Sequence, residues 1–421
     1  MKTDQIQKVH KDWYKLDLSA IVYPTLQRRD FSSVYRLSVL LKEDIDPEIL
    51  QRAVNLTMPR FPTYKAAIRK GVFWRYLEPN DRPGPFVQED VKNPCQPMHF
   101  KGNNRYLVRI YYYRNRIALE AHHSLGDGTG GMCVLQTLTA TYLRLKGHSE
   151  IENGGFVLDI LGIPDPGELE DAYMKYANAK VCPPRPGEKT YRVRGTKEPF
   201  YTLNIIDGIM SVSEVMRVAK SYNATITEYL NSVLLYALMR KQESEWHLKL
   251  RPVKIAMPVN LRRFFPSRTL RNFITMIYPG IDPRLGEYTF EEIVTQVHNY
   301  MRYYLNEKLL RGDITTNAET QRNPFIRIVP LFIKDLVVRQ FYTKIQDKNS
   351  SAGLTNMGAL KVPETMKPYI ERFDIYMGQP FSTRTNCAIA SFEDILTINF
   401  ASSIAETDVE RLFFRKLVQD G

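Results

Sequence analysis

Apolar and polar side chains alternate along the chain in a pattern that predicts a mixed α/β protein. Short apolar runs of strand length occur between segments whose apolar residues recur every three or four positions, as on one face of a helix. The first half carries four such segments: a strand over Val34–Leu41, a helix from Asp46–Pro47 to about Met58, a hairpin from Tyr106–Tyr113 and Arg116–His122, and a helix from Met132 to about Gly147.

A proline-rich segment divides the chain. The run from Cys182 to Gly187 holds three prolines, which lack N–H donors and fix φ, so it cannot lie inside a regular element. A chain of 421 residues is also long for one domain. We therefore predict an N-terminal domain over residues 1–175, a linker over 176–200 and a C-terminal domain over 201–421.

The predicted C-terminal domain begins with helix and strand signals. Ser211 and Thr225 are each followed three residues later by glutamate, which is the pattern of a capping box at a helix start. A strand follows at Val253–Pro258. Later, Pro330–Lys344 has an apolar face with interspersed basic residues. Such a helix can lie on a membrane surface, but most amphipathic helices pack inward, and we expect this one to pack on its own domain.

Charge and cysteine usage limit the class of protein. The net charge of +12 favours anionic partners such as phosphates, but the basic residues are scattered among acids, and we expect no nucleic-acid partner. The four cysteines have no metal-ligand spacing, and we expect no metal site. The cysteines are far apart and the first eleven residues are polar and charged, without the apolar core of a signal peptide, so we expect reduced thiols in a cytoplasm. No run of eighteen apolar residues occurs, so we expect no transmembrane segment.

The most informative segment is Ala121–Gly128, which contains two adjacent histidines followed by Asp-Gly. Neighbouring side chains at the end of a strand point to opposite faces, so one of His122 and His123 can be buried support while the other faces a cleft. Asp127 is positioned to order the following turn and helix start by accepting backbone N–H groups and pairing with a cation. Neutral histidine can accept a proton near pH 7, which suits a general base.

The same segment matches a dinucleotide-binding pattern. Gly126–Gly131 reads G-x-G-x-x-G between a strand and a helix, with Glu150 about twenty residues on. It follows a hairpin rather than a βαβ unit, and Asp127 would face the pyrophosphate, so an oxidoreductase is the weaker alternative. We find no nucleophile elbow, P-loop or H-E-x-x-H motif, which favours a direct reaction over one through a covalent enzyme intermediate.

His122 to Gly128 resembles the H-H-x-x-x-D-G signature of the chloramphenicol acetyltransferase-like superfamily, which includes peptide-synthetase condensation domains and alcohol acetyltransferases. Other segments look like those of bacterial alcohol acetyltransferase-like proteins and occur in the expected order. They are Asp12–Asp17, Arg60–Pro62, Pro258–Arg262, Arg271–Phe273 and Leu354–Gly358. The resemblance implies an α/β fold of two-layer α+β sandwiches, with two acetyltransferase-like domains and an active-site tunnel between them.

The resemblance also implies roles for single residues. His123 would be the general base, supported by His122 and Gly128, and Asp127 would be structural and pair with an arginine. Arg262 is the candidate for that arginine, and Arg36 is a weaker one.

The second signature of the superfamily, D-F-G-W-G, is only partly kept. The segment Asp374–Gly378 retains the aspartate and the glycine but carries methionine in place of tryptophan. In relatives this segment shapes the tunnel, so the acceptor and the oxyanion-stabilising group are open. Thr355 and Asn356 are candidate donors to the oxyanion.

Together these features predict an O-acyltransferase that moves an acyl group, with acetyl as the first candidate, from acyl-CoA to a small alcohol by direct attack. Acyl-CoA would be a co-substrate, with no permanently bound cofactor, and an acyl-carrier protein is the alternative donor. A catalytically silent condensation-like binding protein is the alternative from another functional class.

Overall fold

The computed structural model describes residues 13–27, 31–180, 188–245, 247–345, 349–378 and 383–421. The strands are β1 Tyr14–Lys15, β2 Val34–Leu41, β3 Ala66–Lys70, β4 Arg75–Pro79, β5 Val87–Glu89, β6 Val108–Tyr113, β7 Arg116–His122, β8 Asn204–Ser211, β9 Val253–Asn260, β10 Ile274–Ile277, β11 Gly280–Ile281, β12 Ala352–Ala359, β13 Ile370–Met377, β14 Thr385–Phe392 and β15 Ile395–Ser402.

The α-helices are α1 Tyr23–Leu26, α2 Pro47–Thr57, α3 Gly128–Leu145, α4 Ala172–Tyr176, α5 Val212–Ser221, α6 Ile226–Ser244, α7 Phe290–Tyr304, α8 Glu307–Arg322, α9 Pro324–Ile328, α10 Leu331–Ile345 and α11 Asp408–Asp420. Short 3-10 helices lie at Met58–Arg60, Asn103–Arg105, Pro166–Leu169, Leu261–Arg263, Pro283–Leu285 and Glu364–Tyr369. No helix in these residues is both long and apolar enough to cross a bilayer.

The first sheet has the order β13-β2-β7-β6-β5, and α3 lies against β2 and β7 with α2 beside it. The predicted strand Val34–Leu41 and the predicted hairpin are present, with the first hairpin strand beginning at Val108 rather than Tyr106. The helix start at Asp46 is confirmed, because its carboxylate accepts the N–H groups of Glu48 and Ile49.

The second sheet has the order β10-β9-β12-β14-β15-β8, with β11 paired to β9. Helix α6 contacts β9 of this sheet and also α7 and α11, so helices lie against this sheet as they do against the first. Thr225 forms the full predicted capping box with Glu228, whereas Ser211 accepts only the N–H of Glu214. A three-stranded sheet, β1-β4-β3, stands apart from both.

Strand β13 joins the two halves. It follows the predicted linker by about 170 residues, yet it pairs antiparallel with β2 in the first sheet, with Met377 opposite Tyr35. It also contacts β14 and β15 of the second sheet, where Thr397 donates its hydroxyl hydrogen to Phe373 O at 2.8 Å. The division at 176–200 remains a prediction, and the part Cys182–Gly187 lies outside the described residues. The range 201–421 therefore contributes one strand to the sheet of the first half.

Helix α10 corrects one expectation. Its apolar residues Phe332 and Leu336 are exposed, whereas Asp335 is partly buried and forms an ion pair with Arg75 of β4. The segment predicted to bury its apolar face on its own domain is therefore attached by its polar face to the first half of the chain. Sequence periodicity identified the helix but could not show which face is turned inward.

Candidate active site

Strand β7 ends at His122, and the two histidines point to opposite sides, as their position at a strand end predicts. His122 is fully buried, its Nδ1 accepts the N–H of Ser124 at 3.2 Å, and its ring meets Phe100 edge to face. Burial, with a smaller effect from His123, lowers the pKa of His122 to about 3. His122 is therefore a neutral support for the turn.

His123 lies between two tyrosine rings. It stacks on Tyr23 of α1 with ring centroids 4.8 Å apart and contacts the tilted ring of Tyr35 of β2 at 4.6 Å. Its backbone N–H donates to Ser33 O at 2.8 Å. The residue keeps partial exposure, while its Nδ1 is buried and forms no hydrogen bond with the described residues. The aromatic contacts and the backbone bond fix the position of the imidazole.

The surroundings of His123 keep it neutral. Burial lowers its pKa from the ordinary 6.5 to about 4, and the nearby Asp127 carboxylate and the Asn272 amide oppose this shift only in part. At physiological pH the imidazole therefore carries no charge and can accept a proton.

Asp127 caps α3 and also binds the second half of the chain. Its Oδ1 accepts the N–H groups of Thr129 at 3.1 Å and Gly130 at 3.2 Å, and its Oδ2 accepts that of Phe273 at 2.9 Å. Arg262 adds two more bonds, Nη1 to Oδ2 at 2.8 Å and Nη2 to Oδ1 at 3.3 Å. The buried carboxylate thus accepts five hydrogen bonds and fastens the loop after His123 to the segment around Arg262.

Of the two arginines considered as partners of Asp127, Arg262 makes the contact. Its own geometry is fixed by bonds to Thr269 O at 2.9 Å and Arg271 O at 2.6 Å. Arg36, the weaker candidate, instead pairs with Asp90 at 2.8 Å and Glu120 at 3.0 Å within the first sheet. Arg36 is therefore excluded as the partner of Asp127.

A second link between the halves reaches the backbone of His123 itself. The Asn272 amide donates to His123 O at 2.8 Å and to the buried carboxylate of Asp17 at 3.1 Å. Arg271 also approaches Asp17, at 3.6 Å. Burial raises the pKa of Asp17, and Arg271 opposes that shift. Segments that are distant in sequence, around residues 17, 123 and 272, therefore meet at one point.

The glycines after His123 are required by close packing. A Cβ at Gly126 or Gly130 would overlap the carbonyl oxygen of Leu270, and one at Gly131 would lie 2.6 Å from the Tyr35 hydroxyl. The N–H groups at the start of α3 are capped by Asp127. The protein itself therefore occupies the space and the donors that a pyrophosphate would need in the dinucleotide interpretation.

The remaining predicted residues lie at different distances from this centre. Gly128 begins α3, and a Cβ there would meet Met357 of β12 at 3.0 Å, so β12 passes beside the loop. Asn356 donates its amide to Thr227 at 2.9 Å and accepts the N–H of Gly358, so both ends of its side chain have partners in the second half. Its amide nitrogen carries a second hydrogen, so the suggested role of Asn356 as an oxyanion donor stays a prediction.

Asp374 is not brought to His123. It pairs with Ser38 across β13 and β2, which places it on the face of the sheet opposite to Tyr35, and its carboxylate bonds Arg372 at 3.3 Å. Its burial raises its pKa. The Met377 end of the same strand is the part opposite Tyr35.

Four contacts of the site were not assigned from the sequence: Tyr23, Tyr35, Asp17 and Asn272. Asp17 and Asn272 lie in two of the segments that resemble alcohol acetyltransferase-like proteins, so the resemblance could have identified them as candidate site residues. Tyr35 is one of several aromatic residues in apolar strands, and no local pattern separates it from a core residue. Tyr23 lies in a one-turn helix without a periodic pattern.

Comparison of the sequence with protein-family models and with curated proteins gives no match. Comparison of the structure gives many. Trichothecene 15-O-acetyltransferase from Fusarium sporotrichioides is similar with a TM-score of 0.60 and 14% identity over 97% of this chain and 94% of that chain. The starter condensation domain of rhizomide synthetase, solved with C8-CoA and Leu-SNAC, is similar with a TM-score of 0.60 and 11% identity over 99% and 96% of the two chains.

The protein has the chloramphenicol acetyltransferase-like fold. Polyketide synthase associated protein 5 from Mycobacterium tuberculosis is a further similar structure, with a TM-score of 0.60 and 13% identity over 96% of each chain. These likenesses cover nearly the whole of every chain, so the acetyltransferase-like fold accounts for nearly all of this chain. At such low identity the likeness describes the fold.

Proposed function

We propose that the protein is an acyltransferase in which His123 acts as the general base. The observation that carries the proposal is the state of this residue: a neutral, partly exposed imidazole, clamped by Tyr23 and Tyr35 and anchored by Asn272 where the two halves of the chain meet. We assign Nε2 as the basic atom, because Nδ1 is buried. Asp127 and Arg262 act by holding the loop rather than by touching substrate.

In the proposed step, His123 takes the proton of an acceptor hydroxyl as its oxygen attacks the thioester carbonyl. The new C–O bond gives a tetrahedral intermediate. Collapse of this intermediate breaks the C–S bond, and the departing thiolate receives the proton from His123 to leave as the free thiol. The imidazole returns to its neutral form, so the cycle needs no other acid or base.

The proposed donor is acyl-CoA, and the proposed acceptor is an alcohol. The net charge of +12 is compatible with the phosphates of coenzyme A, and a condensation domain of the same fold has been solved with C8-CoA. The similar trichothecene enzyme is named as an O-acetyltransferase. An acyl-carrier protein is the alternative donor. The free, buried thiols of Cys95, Cys133 and Cys387 support a reducing, cytoplasmic setting.

The test is release of the thiol from acyl-CoA by purified protein. Acetyl-, octanoyl- and palmitoyl-CoA are offered in turn with a panel of alcohols and amines, and esters or amides are identified by mass spectrometry. Acceptor-dependent thiol release with a matching ester is the expected result. Absence of release with every donor and acceptor, from a protein that still binds acyl-CoA by calorimetry, would contradict the proposal and favour a silent binding protein.

A further inference from the structure

Helices α9 and α10 carry their apolar side chains on the outside of the molecule. Phe325, Ile328, Phe332 and Leu336 are 77%, 68%, 74% and 61% exposed. Ile326, Ile333 and Val337 are also exposed. Within the described part of the chain, five of these seven side chains keep 60% or more of their surface exposed. A contiguous apolar surface of this kind is unusual on a protein that works free in water and marks an interaction site.

The orientation of α10 is fixed by polar contacts on its inner side. Asp335 accepts bonds from Arg75 at 2.8 Å and from the Thr25 hydroxyl at 2.8 Å, and Arg339 reaches Thr25 O at 3.3 Å. Leu331, Lys334, Asp335 and Val338 are partly buried on the side turned towards the protein, whereas residues 332, 333, 336 and 337 are exposed. The outward apolar face is therefore held in place by specific bonds.

The β3–β4 turn extends the same surface. Val72 and Trp74 are exposed, Val72 O accepts the N–H of Leu331 at 2.9 Å, and Phe73 O accepts the Lys334 ammonium at 2.9 Å. Tryptophan and phenylalanine beside a lysine are the side chains that settle at the boundary between lipid headgroups and acyl chains.

The charge around this surface selects its partner. Residues 322–340 contain four basic side chains and one acidic side chain, and that acid, Asp335, is neutralised by Arg75. An excess of cations beside an apolar face complements anionic lipid phosphates. A symmetric contact between two copies would instead bring the same cations together, which opposes self-association.

We infer that α9, α10 and the β3–β4 turn form a docking surface for anionic lipid bilayers. The surface would lie in the headgroup region, since α10 has only fifteen residues and cannot span a bilayer. It is also close to the site, because α1 carries both Tyr23, which stacks on His123, and Thr25, which bonds Asp335.

The test is flotation of the full-length protein with two kinds of vesicle. Neutral vesicles contain phosphatidylcholine alone, and anionic vesicles contain phosphatidylcholine with about 30% phosphatidylglycerol. We expect the wild type to float with the anionic vesicles and much less with the neutral ones, and the bound fraction to fall as salt is raised. The variant F332S/L336S should lower the partition coefficient by at least roughly tenfold, because it removes two large apolar side chains from the contact.

The matched control is L285S/V418S, which changes two equally exposed apolar residues on other parts of the surface and should float like the wild type. Circular dichroism and thermal unfolding verify that both double variants fold. Failure of the wild type to bind anionic vesicles would overturn the inference, as would equal binding by the wild type and F332S/L336S. Flotation needs no turnover, so its result is independent of the proposed acyl transfer.

Discussion

Replacing Asp127 with asparagine tests whether this buried carboxylate holds the two halves together. An amide keeps the size of the side chain but offers one accepting oxygen in place of two. Whichever way the amide turns, its NH₂ group faces N–H donors, either those of Thr129 and Gly130 or those of Phe273 and Arg262. Arg262 also loses its only ion-pair partner among the described residues. Its side chain is only 11% exposed, so water cannot fully replace that partner.

The size of the effect follows from these contacts. Breaking a buried ion pair by removing the charge of one partner costs roughly 3–5 kcal/mol, because the other charge stays buried. We therefore expect D127N to lower the free energy of unfolding by about that amount in urea titrations followed by circular dichroism. The matched control is E214Q, whose pair with Arg217 is exposed on both sides and should be worth less than about 1 kcal/mol.

A double-mutant cycle separates the ion pair from the helix cap. In D127N/R262M both charges are gone, so the loss should be smaller than the sum of the two single losses by at least roughly 1 kcal/mol. Two results would refute the reasoning: a D127N loss no larger than that of E214Q, or single losses that add to within roughly 0.5 kcal/mol.

Three further predictions concern the site. In a pH profile of kcat/KM, activity should fall on the acid side only as the pH drops through about 4. Neutral His123 is the active form, and burial lowers its pKa to about 4. A fall centred at pH 6.5, the ordinary pKa of histidine, would contradict this. N272A should lower kcat with little change in the KM for acyl-CoA, since it frees His123 O; a change confined to KM would count against a positioning role. G130A should lose about 1–3 kcal/mol of stability in urea titrations, because its Cβ meets Leu270 O; unchanged stability would contradict the packing argument.

Local patterns predicted the elements on which the site is built. The apolar run Val34–Leu41, the hairpin ending at His122 and the helix after Asp127 are determined by neighbours in sequence, and all are present. The opposite directions of the two histidines follow from strand geometry. The Asp127–Arg262 contact was reached only through the resemblance, since no local rule links residues 135 positions apart.

The rest of the site depends on long-range packing. Strand pairing between distant segments adds β13 to the first sheet. As a consequence, Asp374 faces away from Tyr35. Tyr23 reaches His123 through a long-range contact across 100 residues, and α1, which carries it, is bonded to Ser33 and to Asp335 of α10. The outward apolar face of α10 also contradicts the usual inward rule, because Asp335 and Arg75 determine its orientation. The sequence pattern of each single element does not show which distant residues it will contact.

The most direct test of the central claim is the rate of acyl-CoA thiol release for H123A beside the wild type, with an acceptor that supports turnover. H148A is the matched control, because it changes a partly exposed histidine on another part of the molecule that pairs with Glu150. Removal of a general base should slow turnover by roughly a hundred- to ten-thousandfold, while H148A stays near the wild-type rate. An H123A variant that folds normally and releases thiol at the wild-type rate would contradict the assignment of His123 as the base.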